Sequence, residues 1–386
     1  MTRLYIVRHA EAEGNLFRRI HGQYDTTLTV NGLRQVEALR DRFAGENVDA
    51  CYSSDLVRTR TTAQAVWVPK GLPLRLEPRF REVALGCWED VPFGQLEREE
   101  PEMMARFSAD PYHWRVEGAE TVEQYSGRFL AALEEVARAH DGQTVAIFTH
   151  GCVIRAMEMR LFYGPDRIPE IAHCDNTGVS LLEYEGGRFR SVYLNDNSHL
   201  PPELSTFARQ NWWRQQGTRK DRNLWFRPLG DRDWYAACRR EAWRLVYGDD
   251  GDCDGAAFYR DALAGAAGEP WALCQAMLGE EPAGLVQLNL AASRRAGHVA
   301  FLYLLPEFRG QGLGIQLVGQ AVSFFRARGK SRLELAVSPA NGRALAFYRR
   351  YGFAETGTVP GRYGELLRLE WNGELTRDLG PELVSV

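Results

Sequence analysis

Short apolar runs alternate with amphipathic stretches over about the first 200 residues of the chain. A short apolar run is typical of a buried strand, and apolar positions three or four apart are typical of a helix. The predicted strands are 3–8, 49–53, 144–149, 178–184 and 189–194. The predicted helices are 31–44, 56–68, 121–139 and 151–162. This alternation predicts a three-layer α/β domain with a doubly wound, mainly parallel sheet.

A different order of elements begins near residue 221. Its predicted helices are 231–246, 254–264, 313–328 and 341–351, and its predicted strands are 272–278, 282–290, 297–305, 332–337 and a terminal set. The order predicts an α+β domain with a mixed sheet. We therefore divide the 386 residues into a first domain, 1–203, a linker, 204–220, and a second domain, 221–386. Each domain then has an ordinary size.

The stretch around the linker begins with Pro201-Pro202 and contains Trp212-Trp213. Its cations are Arg209, Arg214, Arg219, Lys220 and Arg222. One interpretation is a docking patch or a patch that binds an anionic substrate. The other, which we favour, is a connector whose tryptophans pack on a neighbouring domain while its charges stay in water.

Composition narrows the class of protein. Apolar residues make up 45%, charged residues 25%, and the net charge is −4, which is typical of a soluble globular protein without a nucleic-acid footprint. Neither a signal peptide nor a membrane-spanning run is recognisable. The seven cysteines are scattered and form no CxxC pair, which favours reduced thiols over disulfides or a zinc site. We expect a cytoplasmic protein with no metal and no membrane or nucleic-acid partner; its oligomeric state stays open.

The first candidate chemistry lies at two strand ends. The apolar run 4–7 ends on Arg8-His9, and the run 144–149 is followed directly by His150. In a parallel sheet the active site gathers beyond the carboxyl ends of strands. We therefore expect His9 and His150 to meet, although 141 positions separate them.

These two strand ends belong to an ordered set of short motifs. The set comprises Arg8 to Asn15 (RHAEAEGN), Gly22, Leu28-Thr29, Gly32, Ser53-Ser54-Asp55-Leu56, Arg58, Thr62-Ala63, Glu82, Gly86, Trp88-Glu89, Gly118-Ala119-Glu120, Thr149-His150-Gly151 and Asn195-Asp196 to His199-Leu200. Over residues 1 to about 200 the chain thereby resembles the histidine phosphatase, or phosphoglycerate-mutase-like, superfamily. The resemblance implies metal-independent phosphoryl transfer through a phosphohistidine.

In that chemistry an unprotonated imidazole attacks phosphorus while positive donors hold the phosphate oxygens. His9 is the expected nucleophile, and Arg8, Arg58 and His150 are the expected donors. The resemblance makes Glu82 the acid that protonates the leaving alcohol. Its rivals are Glu89 and Glu11, and the expected substrate-binding residues are Asn15, His21 and Gly22. The domain lacks the long insertion of a glycolytic mutase, which favours a phosphatase.

The second candidate chemistry is a glycine-rich turn. The strand 301–306 runs into Arg309-x-x-Gly312-x-Gly314 and then into a helix. Glycines let backbone N–H groups approach a pyrophosphate, and the helix N-terminus adds partial positive charge. With Asn341 and the segment 344–353, the turn resembles the GNAT acetyltransferase superfamily over about 221–372.

This second resemblance implies that acetyl-CoA is the co-substrate and that an amine attacks its thioester directly. The implied cofactor-binding residues are Leu304, Arg309, Gly310, Gln311, Gly312, Leu313, Gly314 and Asn341. A backbone donor of strand 301–305 would stabilise the oxyanion, and Tyr348 would protonate the departing thiolate. The general base stays open among Glu307, Glu334 and a water chain.

Together the motifs predict a bifunctional enzyme that hydrolyses a small-molecule phosphate ester and acetylates a small-molecule amine. Fusion of the domains suggests that both substrates belong to one pathway. Two alternatives remain. One is a phosphoglycerate-type mutase or an α-ribazole-phosphatase-like enzyme with an accessory acyltransferase, and the other is a CoA-sensing regulatory protein.

Overall fold

The structure is a computed structural model that describes residues 1–210, 222–361 and 364–373. Its first sheet contains β1 (Thr2–Arg8), β2 (Ala50–Ser53), β3 (Leu74–Leu76), β4 (Thr144–Thr149), β5 (Val179–Glu185) and β6 (Arg188–Asp196). The strand order is β3-β2-β4-β1-β5-β6. The first four strands run parallel, and β5 and β6 add antiparallel pairs at one edge. The predicted mainly parallel sheet is thus confirmed.

Helices cover both faces of this sheet. The α-helices of this part of the chain are α1 (Glu13–Phe17), α2 (Val30–Phe43), α3 (Val57–Trp67), α4 (Phe93–Glu99), α5 (Pro101–Ala109), α6 (Val122–Ala139), α7 (Gly151–Glu158) and α8 (Thr206–Arg209). Alternate residues of a strand point to opposite faces. Leu4 and Ile6 accordingly join a core with α6 and α7, whereas Tyr5 and Val7 join a second core with α2 and α3. These two cores make the three layers that the sequence predicts.

The second sheet is mixed. Its strands are β7 (Trp225–Pro228), β8 (Leu273–Leu278), β9 (Glu281–Asn289), β10 (Ala296–Leu304), β11 (Arg332–Val337), β12 (Phe353–Gly361) and β13 (Gly364–Trp371), in the order β12-β13-β11-β10-β9-β8-β7. The pair β10–β11 is parallel and the other pairs are antiparallel. The helices are α9 (Arg232–Tyr247), α10 (Gly255–Ala266), α11 (Gly314–Arg326) and α12 (Gly342–Arg350). This architecture confirms the predicted α+β class.

The domain boundaries at 203 and 221 stay a prediction. Helix α8 lies in the stretch assigned to the linker, and its Thr206 and Phe207 are buried against the first domain. Trp212-Trp213 and three of the cations, Arg214, Arg219 and Lys220, lie outside the described residues. All seven cysteines are free thiols. Among the described residues, no helix is long and apolar enough to cross a membrane.

Candidate active sites

The carboxyl ends of β1, β2 and β4 meet at one edge of the first sheet. Arg8 lies opposite Thr149, and the His9 amide donates to the Thr149 carbonyl at 2.9 Å. The His9 and His150 rings therefore pack together, with centroids 5.2 Å apart. Parallel register brings these side chains together in space despite their distance in sequence.

His9 is held in one tautomer. Its Nδ1 lies 2.7 Å from the Ala10 carbonyl oxygen. A carbonyl can accept a hydrogen bond but cannot donate one, so Nδ1 carries the proton and Nε2 keeps its lone pair. Burial, followed by the charges of Arg58 and Arg8, holds the pKa of His9 well below the usual 6.5. At neutral pH the ring is therefore uncharged and nucleophilic.

Two arginines frame this imidazole. Arg58 is fully buried, and its guanidinium donates to the carbonyl oxygens of Tyr24 at 3.1 Å and Gly22 at 2.5 Å. The Arg8 guanidinium donates to the Cys174 carbonyl oxygen. Within the described residues, neither arginine forms an ion pair with a carboxylate. Their positive charges are thus oriented by neutral acceptors and remain available to an anion.

His150 is anchored on one side only. Its Nε2 lies 2.9 Å from the Ser54 hydroxyl oxygen, while its buried Nδ1 has no hydrogen-bond partner in the described part of the chain. The same is true of Arg8 Nε and Asn176 Oδ1. Burial, together with the charge of Arg58, holds the pKa of His150 well below 6.5. Buried polar atoms are normally paired, so this cluster is suited to a polar ligand.

Contacts separate the three candidate acids. The Glu82 carboxylate lines the cavity beside His9 and accepts N–H groups of Cys152 at 3.0 Å and Val153 at 3.2 Å, at the start of α7. Glu89 instead accepts the amides of Gly22, Gln23 and Tyr24 and so fixes that loop. Glu11 is 2% exposed and binds the hydroxyls of Thr29 and Thr206, away from the cavity.

A cavity of about 230 Å³ lies beside these groups, and the fully buried His150 is not among the residues that line it. Of the residues expected from the sequence it is lined by Arg8, His9, Asn15, His21, Arg58 and Glu82. Gly22 contributes behind the wall, through the carbonyl that orients Arg58. The rest of the wall is largely apolar and includes Leu85, Phe93, Met104, Phe107, Ile168 and Phe207.

The glycine-rich turn of the second domain has the backbone that its sequence predicts. Gly310 and Gly312 have φ of +74° and +79°, a conformation that other residues adopt at a cost. Helix α11 begins two residues later, at Gly314. A Cβ atom on Gly314 would lie 3.0 Å from the Phe347 ring and 3.8 Å from Leu304. The turn, β10 and α12 therefore converge on the N-terminus of α11.

Several expected cofactor-binding side chains are engaged in building this turn. Arg309 donates to the Leu304 carbonyl at 2.8 Å and forms an ion pair with Glu241 at 3.0 Å. Gln311 donates to the Glu307 carbonyl, Leu313 is buried, and Asn341 caps α12 by accepting the Ala344 amide at 3.1 Å. The groups that remain for a pyrophosphate are backbone amides, as in other glycine-rich anion sites.

Strands β10 and β11 separate next to this turn. They pair only from Ala296 to Val299 on β10, so the residues 301–304 make no ladder with β11. Tyr348 on α12 is 8% exposed and packs against Phe347 and Phe353. Burial raises its pKa above the usual 10, which keeps the hydroxyl protonated.

The open candidates for the base lie apart from one another. The Glu307 side chain is exposed, and Glu334 lies 3.8 Å from His298, where β10 and β11 are still paired. Neither position brings the Glu307 or the Glu334 carboxylate to the separated strand segment 301–304. The described geometry therefore does not single out a base.

Comparison with known proteins agrees with both architectures. Residues 4–197 match the model of the histidine phosphatase superfamily (branch 1). The chain belongs to the histidine phosphatase superfamily. Residues 232–353 match the acetyltransferase (GNAT) family, so the same chain carries a GNAT domain. We refer to the two parts as the phosphatase domain and the GNAT domain.

Three similar proteins match the phosphatase domain. Phosphoserine phosphatase 1 of Hydrogenobacter thermophilus is 32% identical over 201 residues, which cover 52% of this chain and 95% of that protein. A probable phosphoglycerate mutase, GpmB, of Photorhabdus laumondii is 29% identical over 48% of this chain and 86% of its own length. The structure of Bacillus stearothermophilus YhfR superposes with a TM-score of 0.50 at 28% identity, covering 52% of this chain and 99% of its own.

Sequence reasoning missed several residues of the phosphatase site. Asn176 donates to the His9 carbonyl at 3.0 Å and lies 3.3 Å from Asn15, yet no motif marked it. Phe207 closes part of the cavity from a stretch assigned to the linker. Asp90 was also missed, and it binds both Arg19 and His21 of the cavity wall. Its position directly after the motif Trp88-Glu89 was the sequence signal that could have identified it.

Proposed function

We propose that the phosphatase domain hydrolyses phosphate monoesters through a phosphohistidine at His9. The observation that carries the proposal is the neutral His9 ring, with Nδ1 bound to the Ala10 carbonyl and Nε2 left unprotonated beside Arg8 and Arg58. Nε2 attacks phosphorus, the bond to the ester oxygen breaks, and Glu82 gives its proton to the leaving oxygen. Water then attacks the phosphohistidine, gives a proton back to Glu82 and releases inorganic phosphate.

The first substrates to test are small phosphate esters. Relatives are named as a phosphoserine phosphatase and a probable phosphoglycerate mutase, which supports phosphoserine and phosphoglycerates as starting points. Release of inorganic phosphate supports hydrolysis. Transfer of the phosphoryl group to a second phosphoglycerate would instead support the mutase alternative.

The decisive experiment combines rapid quench with a matched histidine control. His9→Ala should abolish both turnover and the acid-labile phosphoenzyme, because no other group replaces the nucleophile. His113→Ala should leave both unchanged, because the exposed His113 side chain pairs only with Asp110 among the described residues. Normal turnover in His9→Ala would refute the assignment.

For the GNAT domain we propose transfer of an acetyl group from acetyl-CoA to a small-molecule amine. Support comes from the left-handed Gly310 and Gly312 at the start of α11 and from the separation of β10 and β11. The amine attacks the thioester carbon, the carbon–sulfur bond breaks, and Tyr348 protonates the thiolate. The proton that the attacking nitrogen loses passes to water, and Tyr348 regains its own proton from water. Backbone donors of the separated strand would stabilise the oxyanion.

A screen of amines with acetyl-CoA, read by free thiol and acetylated product, tests this second activity. Tyr348→Phe should slow acetyl transfer and leave phosphate release unchanged, whereas Tyr247→Phe, on the exposed end of α9, should change neither. Equal loss of both activities in Tyr348→Phe would mean misfolding or strong coupling between the domains. Tight CoA binding without transfer to any amine would favour a CoA-sensing protein.

A further inference from the structure

One side of the phosphatase cavity wall packs against the GNAT domain. Helix α1 carries Asn15 toward the cavity, and its last residue, Phe17, points the other way. Phe17 is 3% exposed and belongs to the hydrophobic core of the GNAT domain, with its ring 5.9 Å from that of Trp371. A Cβ atom on Gly319 would lie 2.5 Å from the Phe17 Cβ, so the backbone of α11 touches this side chain directly.

A buried ion pair joins the same two helices. Arg326 at the end of α11 donates to Glu13 of α1 at 2.8 and 3.2 Å. The two side chains are only 4% and 2% exposed. A charge so far from water is costly without its partner, so this pair specifies how the two domains dock.

A hydrogen-bond chain runs from α11 to the cavity. The Ser323 hydroxyl donates to Asp90 Oδ2 at 2.6 Å. The other oxygen of Asp90 accepts from Arg19 at 2.7 Å and from His21 Nε2 at 3.0 Å, and both of these side chains line the cavity. Arg19 also donates to Ser323 at 2.9 Å and to Gln320 at 3.1 Å.

Asp90 is the centre of this chain. Burial alone would raise its pKa, but the Arg19 charge and the hydrogen bonds from His21 and Ser323 outweigh burial and hold the pKa well below its usual range. The carboxylate is therefore charged at neutral pH and orders its donors. The Asp90 backbone has a φ of +61°, an uncommon conformation that the surrounding contacts must maintain.

We propose that helix α11 of the GNAT domain is a working part of the phosphatase site. Ser323 is a positioning residue: through Asp90 it fixes Arg19 and His21, and so shapes the substrate wall. The match to the phosphoserine phosphatase relative covers 95% of that protein but only 52% of this chain. The support from α11 therefore lies outside the domain that the two proteins share. The proposal rests on the phosphatase activity proposed above.

The test is Ser323→Ala in the full chain. Loss of the hydroxyl leaves Asp90 Oδ2 without its short donor and loosens the wall. We expect KM for the phosphate ester to rise about tenfold while the rate of phosphohistidine formation at saturation stays close to wild type. Ser323→Thr, which keeps the hydroxyl, should restore KM. Ser331→Ala should have no effect, because the hydroxyl of this exposed serine of the same domain reaches, within the described residues, only the Arg295 carbonyl at 3.4 Å.

Amide hydrogen exchange of residues 13–24, measured on the same samples, reads the coupling directly. Exchange should become faster in Ser323→Ala and stay unchanged in Ser331→Ala. Unchanged KM and unchanged exchange in folded Ser323→Ala would overturn the proposal. If Ser323→Ala fails to fold, Gln320→Ala, which removes the other α11 contact of Arg19, is judged by the same two readings. Absence of turnover in the wild type would refute the phosphatase function alone, because exchange still decides the coupling.

Discussion

Replacing Arg326 by methionine should open the contact between the two domains. The substitution keeps an apolar stem of similar length but leaves the buried Glu13 carboxylate without its cation, with a hydrogen bond from the Thr27 hydroxyl at 3.0 Å. Because both charged side chains are almost fully excluded from water, solvent will not screen the loss. We expect a cost of about 3–5 kcal/mol, as for other buried pairs that lose one partner.

The double variant Glu13→Gln with Arg326→Met separates charge from packing. With no charge left to bury, it should be less destabilised than Arg326→Met alone, since replacing both members of a buried pair is often close to neutral. Arg332→Met is the control, because Arg332 is largely exposed and lies 3.6 Å from Glu370. It should cost less than about 1 kcal/mol.

Amide hydrogen exchange of α11 is the appropriate assay. It reports the free energy of opening this contact even when the two domains unfold in separate steps. Additive losses in the double variant would show that Glu13 and Arg326 do not interact. A cost below about 1 kcal/mol for Arg326→Met would mean that water already reaches the pair.

Three further predictions concern the sites themselves. Burial keeps His9 and His150 neutral in the folded protein, whereas both histidines gain protons in the unfolded chain below about pH 6.5. The free energy of unfolding should therefore fall by about 1.4 kcal/mol per pH unit for each histidine as the pH decreases below that value. Urea unfolding between pH 7 and 5 measures this dependence, and the same pH dependence after replacing both histidines by asparagine would contradict it. Glu82→Gln should slow the hydrolysis of alkyl phosphates about 100-fold and that of p-nitrophenyl phosphate far less, because nitrophenolate leaves without a proton. Equal loss of rate with both substrates would argue against an acid role for Glu82. Gly312→Ala should weaken CoA binding, measured by calorimetry, about tenfold, because alanine adopts the φ of +79° at this turn only at a cost. Gly329→Ala, a substitution at a similar φ of +68° outside the glycine-rich turn, should bind CoA normally.

Much of the architecture could be predicted because it is written in local periodicity. The run 3–8 became β1 at Thr2–Arg8, and the helix expected at 313–328 became α11 at Gly314–Arg326. Burial of alternate residues in a strand and of one face in a helix leaves such patterns in any sequence. Strands β5 and β6 also matched, but their antiparallel direction was not visible in the sequence, because strand direction depends on how the chain returns.

The sequence favoured Glu82 over Glu11 and Glu89 only through the family resemblance. Glu11, Glu82 and Glu89 all stand within or beside motifs, and a glutamate in a motif has no local mark of its role. Only the position of the α7 N-terminus brings Glu82 to the cavity, while Glu89 meets the amides of the 22–24 loop. Asn176 escaped notice for the same reason, since its contact with His9 spans 167 positions.

The two family patterns can be read from the chain alone: a histidine and an arginine at a strand end, and glycines at the start of a helix, are local features with a direct physical meaning. Only the folded structure reveals that the two domains share a framework. Glu13 and Arg326 are 313 positions apart, and the Ser323–Asp90 bond spans 233. Such contacts follow from the shapes of two folded surfaces, and no periodicity along the chain records them.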